Sequence, residues 1–78
     1  MGRPSVFYVR LDETEAANAG ILKQALTEAA EEGGASEVVV RPVGIGFVGW
    51  EVTADVQVPS ELVLSVAREK FIAKQTLH

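Results

Sequence analysis

The stretch Val43-Gly-Ile-Gly-Phe-Val-Gly-Trp50, continued by Glu51-Val-Thr-Ala-Asp-Val-Gln-Val58, decides how this chain folds. From Trp50 onward, Trp50, Val52, Ala54, Val56 and Val58 alternate with Glu51, Thr53, Asp55 and Gln57. A period of two with one polar side is a half-buried strand, predicted here over 50–58. Just upstream, Glu37-Val-Val-Val-Arg41 reads as a second strand over 37–43. Pro42 lacks an amide hydrogen and marks an edge position or a bulge. The two strands are close enough in sequence to join as a hairpin, with the glycines in the turn.

Those glycines spell G-x-G-x-x-G over Gly44, Gly46 and Gly49. A dinucleotide site needs this motif to leave a strand and open a helix, so that backbone amides meet a pyrophosphate. Here it runs into the strand at Trp50, and the main reading is a hairpin turn with glycines at positive φ. An alternative reading makes Gly44, Gly46, Gly49 and Trp50 a site for a flat flavin- or nucleotide-like ligand, the indole stacking on it.

Working outward, Ser5-Val-Phe-Tyr-Val-Arg-Leu11 is a strand over 5–11, apolar on both sides. Asp12-Glu-Thr-Glu15 has the spacing of a capping box opening a helix over 13–32, with Gly33-Gly34 as its stop. Asn18, Ile21, Leu22, Ala25, Leu26 and Ala29 share its core stripe. Ser60 caps a final helix over 61–74, whose apolar residues cover more than half of its circumference. Glu28, Glu31 and Glu32 crowd the end of the first helix where the dipole disfavours anions. They form a solvated surface, or meet a basic partner, or meet Arg68, Lys70 and Lys74 of a neighbouring copy.

The order is β-α-β-β-α in one α+β domain, residues 1–78. Strand–helix–strand units are right-handed, which predicts both helices on one face of a three-stranded sheet of order 2-3-1. Strands one and three are expected to run parallel, making the sheet mixed. This is similar in architecture to the ferredoxin-like plan without its fourth strand. The similarity is one of element order; no residue motif identifies a family.

Composition narrows the function. The chain has 78 residues, no Cys, one His, and 7 Lys+Arg against 11 Asp+Glu for a net charge of −4. Thiol chemistry and thiolate metal sites are excluded, and the acidic balance argues against a nucleic-acid partner. No segment approaches the ~20 apolar residues of a membrane span, and Val6–Val9 is too short for a signal-peptide core, so a cytoplasmic location is expected. Glu51 and Asp55 share a face ~13 Å apart, too far for a paired-carboxylate mechanism, and both are expected to be solvated. No acid–base pair, triad or metal set assembles, so no enzyme and no cofactor are expected. Yet the chain is 47% hydrophobic, more than a core of this size takes up. The leading expectation is a non-enzymatic protein–protein interaction module that self-associates, a dimer first, through Val6, Tyr8, Phe47, Trp50, Phe71 and Ile72. A further alternative is a small host- or phage-encoded modulator of a larger assembly, using the same surfaces on another chain.

Overall fold

The computed structural model describes residues 4–46 and 48–76. The elements are β1 (Ser5–Arg10), α1 (Glu13–Ala17), α2 (Ala19–Glu32), β2 (Val38–Val43), β3 (Gly49–Ala54) and α3 (Ser60–Thr76). The class is α+β. The sheet order is β1-β3-β2, with β3 central; the expected order 2-3-1 likewise placed strand three in the middle.

Strand direction differs from expectation. Both pairings are antiparallel, with Phe7 opposite Val52 and Val52 opposite Val40. The sheet is therefore antiparallel throughout, not mixed. The reason is the hairpin. It reverses β3 against β2, and β1 runs the same way as β2, so a strand inserted between them opposes both.

The cross-strand register sorts the side chains into two faces. Phe7, Val9, Trp50, Val52 and Ala54 are buried on one face, in a single cluster with Leu22, Leu26, Ala29, Val63, Ala67 and Phe71 of the helices. Val38 and Val40 of β2 pack against that cluster. On α3, Val63, Ala67 and Phe71 recur every four residues and make its buried stripe. Burying a Leu or Val side chain contributes roughly 1.5–3 kcal/mol, and Leu22, Leu26, Val52 and Val63 are the largest side chains fully withdrawn from water.

The first helix is not continuous. The capping box forms in both directions: Glu15 N–H donates to Asp12 Oδ1 at 2.7 Å, and Asp12 N–H donates to Glu15 Oε1 at 3.1 Å. The helix then breaks at Asn18, which ends α1 and begins α2. Asn18 leaves helical geometry at φ −127°, ψ 40°. Its carbonyl accepts the amides of Ile21 and Leu22, and its side-chain amide donates to the Thr14 carbonyl at 3.0 Å. This is the competition of a short polar side chain with the helical ladder. The stop at the far end does use the glycine pair, with Gly34 at φ +95°, where an L side chain is strained.

Two of the three carboxylates at the acidic end of α2, Glu28 and Glu32, pair within the chain. Lys74 Nζ lies 2.9 Å from Glu28 Oε2, and Lys70 pairs with Glu32. A third bridge joins Arg68 Nε to Glu15 Oε2 at 3.1 Å. These three cations pair with carboxylates of their own chain. The pairs 28–74 and 32–70 set α2 and α3 antiparallel. Hydrogen bonding to Glu32 raises the Lys70 pKa above its ordinary value of 10.5.

Candidate functional site

The sheet face away from the helices is the surface left to explain. By register it carries three rows across β1, β3 and β2: Val6–Thr53–Val39, Tyr8–Glu51–Arg41 and Arg10–Gly49–Val43. Val6, Tyr8 and Val39 are exposed by 53%, 64% and 50% of their surface, although each sits in a regular strand. β-branched and aromatic residues at such positions usually have a neighbour to pack against. Val48, just before β3, is also exposed.

Two shallow depressions lie on this side. One, of about 200 Å³, is lined by Pro4, Glu37, Val39, Thr53, Ala54 and Asp55. The other, of about 220 Å³, involves Tyr8, Arg10, Val43, Val48 and Gly49. Both fall below the ~300 Å³ at which pockets for small organic ligands begin.

Two glycines of the loop take the left-handed conformation, Gly44 at φ +86° and Gly46 at φ +76°. Val48 N–H donates to the Val43 carbonyl at 3.0 Å and closes the hairpin. Between the two glycines, Ile45 stands fully in water. Gly49 is different in kind: a Cβ there would run into the carbonyl oxygen of Val9, so β1 and β3 approach too closely for any side chain.

Trp50 is next in sequence to Gly49 and therefore points to the opposite face. Its ring is buried, 8% exposed, under the helices, with Lys23 Nζ 5.6 Å from the ring centroid. The indole and the glycine loop are thus not brought together around a common space. Phe71 is also in the core, at 4% exposure. Of the expected interface residues, the structure brings Val6 and Tyr8 together on the open side of β1. It places Trp50 and Phe71 inside, and sets Ile72 apart on the exposed side of α3. Phe47 lies outside the described residues.

Sequence reading missed Val39, Arg41, Val43 and Thr53 as members of this face. Three consecutive valines in β2 look alike on both faces, so only the register with β3 decides which one is wet. Asp55 was expected to be a solvated carboxylate in line with Glu51. It does lie at a partly exposed position, but β3 ends at Ala54, and Asp55 accepts the Ser36 hydroxyl at 2.5 Å and the amides of Ser36 and Glu37 at 2.9 and 3.1 Å. The Ser36 hydroxyl bond, followed by the Glu37 amide, lowers its pKa to about 2. It fastens the turn after α2 to the end of β3.

Among the described residues no cluster of His, Cys, Asp or Glu is arranged to hold a metal ion, and no helix is long and apolar enough to cross a membrane. No protein-family model, no curated protein and no solved structure gives a significant match to this chain.

Proposed function

We propose that the chain is a non-enzymatic interaction module that self-associates through its edge strand β1, with a homodimer as the first assembly. The observation that carries this reading is the exposure of Val6 and Tyr8 on β1, a regular strand at the edge of the sheet. Contiguous exposed apolar surface on a small domain marks a binding site. The shallow relief of the face favours another protein over a small ligand.

On architecture, we read the chain as the ferredoxin-like plan lacking its fourth strand. In that plan the fourth strand lies against the outer edge of strand one, which is the strand bearing Val6 and Tyr8. A location in the cytoplasm and the lack of a nucleic-acid partner belong to the same reading, the latter from the net charge of −4.

Sedimentation velocity over a range of micromolar concentrations tests the proposal. The expected result is a reversible monomer–dimer equilibrium, weakened by Tyr8→Lys with an unchanged circular dichroism spectrum. A stable monomer at every concentration, or one that forms a complex only with a different chain, would overturn it.

A further inference from the structure

Resting on that reading, we infer that the second copy adds to the outer edge of β1, antiparallel, with Tyr8 on the two-fold axis. The sheet has two edges, and they are not equivalent. The Leu11 amide donates to the Val48 carbonyl at 3.1 Å. Leu11 and Val48 continue the β1–β3 register, so Phe7, Val9 and Leu11 direct their backbone groups at β3. By the alternation of a strand, the amides and carbonyls of Val6, Tyr8 and Arg10 point outward, away from the sheet. All three residues carry an amide hydrogen.

The other edge is guarded. Alternation along β3 turns Gly49, Glu51 and Thr53 toward β2, so their partners Val43, Arg41 and Val39 bond inward. Pro42, opposite Trp50, then faces outward with no hydrogen to donate. Proline on an edge strand is a recurrent device against unwanted pairing. β1 has none between Ser5 and Arg10.

The register follows from the same alternation. A two-fold axis perpendicular to the sheet keeps the helices of both copies on one side. It therefore pairs outward-bonding residues with outward-bonding residues. Centring on Tyr8 sets Tyr8 against the second copy's Tyr8, and Val6 against its Arg10. Val6, Tyr8 and Arg10 of each copy then each donate one bond and accept one. Centring on Phe7 instead would set Arg10 against Pro4, which has no amide to give. On the helix side, the Tyr8-centred register brings Phe7 next to the other copy's Val9 and closes the margin of the core.

The chain has no cysteine, so single thiols can be placed cleanly. Tyr8→Cys is expected to cross-link as a homodimer with dibromobimane, because paired residues lie ~5.5 Å apart at the Cα atoms. Val6→Cys mixed with Arg10→Cys is expected to give the mixed dimer, while Thr53→Cys on the central strand stays uncross-linked. Tyr8→Pro removes an outward amide that the monomer does not use. It is expected to leave the fold intact and raise the dimer dissociation constant roughly ten- to a hundredfold. A dimer that cross-links through Thr53→Cys and ignores Tyr8→Pro would overturn this arrangement while leaving self-association standing. A chain that is monomeric throughout would remove the underlying reading itself.

Discussion

Asp55 is one carboxylate holding two segments together. It gathers the Ser36 hydroxyl and the amides of Ser36 and Glu37, which favour its charged form and bring its pKa from 3.8 to about 2. A group whose pKa is depressed by folding stabilises the folded chain above the unfolded value and ceases to do so as pH falls through the folded one. The difference in urea midpoint between the wild type and Asp55→Asn is therefore expected to be constant near neutrality. It should shrink as the pH falls from 3.8 toward about 2. A difference that persists unchanged at the acid end would contradict the assignment. Nothing local announced this role. Ser36 is 19 positions away in sequence, and alternation alone carries Asp55 onward as another outward residue of a longer strand. Gly49 was legible as part of a glycine motif, but its use was not. That use depends on how closely Val9 approaches from the other strand.

Elements were read more easily than their partners. Capping residues and hydrophobic periods are local signals, and Asp12-x-x-Glu15 and Gly33-Gly34 mark helix ends in this way. Ser60, expected as a cap, is instead the first residue within α3, whose leading amides donate to the Pro59 carbonyl. The break at Asn18 escaped because the apolar period of the flanking residues continues through it. The direction of β3 against β1 was mistaken because it depends on combining two connections rather than reading either. The bridges between helices were within view as charges, but their pairing required α2 and α3 to lie antiparallel. Glu15 is the most instructive of these residues. Its side chain is 6% exposed, against 48% for Arg68, and its two oxygens serve both the helix start and the guanidinium. Glu15→Ala is expected to cost about 1–2 kcal/mol by removing half of the capping box and an ion partner. Arg68→Met should cost less, ~0.5–1 kcal/mol, because water already screens that side chain. Urea denaturation of both single variants and the double variant measures the coupling. Strict additivity would mean that the bridge carries no net stability.

At the scale of the molecule, the layer of helices covers one side of the sheet and leaves the other in solvent. The apolar content of the chain hinted at surplus surface, but composition does not locate it. Trp50 and Phe71, the residues that most resembled anchors, are used by the core, while smaller side chains on β1 and β2 face water. If folding and association are linked through the β1 edge, the melting temperature should climb with protein concentration. Differential scanning calorimetry over a roughly hundredfold concentration range tests this. The wild type should shift upward, and Tyr8→Pro should melt at a constant temperature. A flat wild-type profile would separate stability from assembly.

Pro42 bears finally on stoichiometry. Strand addition is in principle endless, since each new strand offers a fresh edge, and that is how fibrils elongate. A pair of chains joined at β1 would expose β2 at both of its ends, each interrupted by a residue with no hydrogen to donate. Growth would then stop at two, and one imino acid in each chain would separate a closed, soluble dimer from an open-ended polymer.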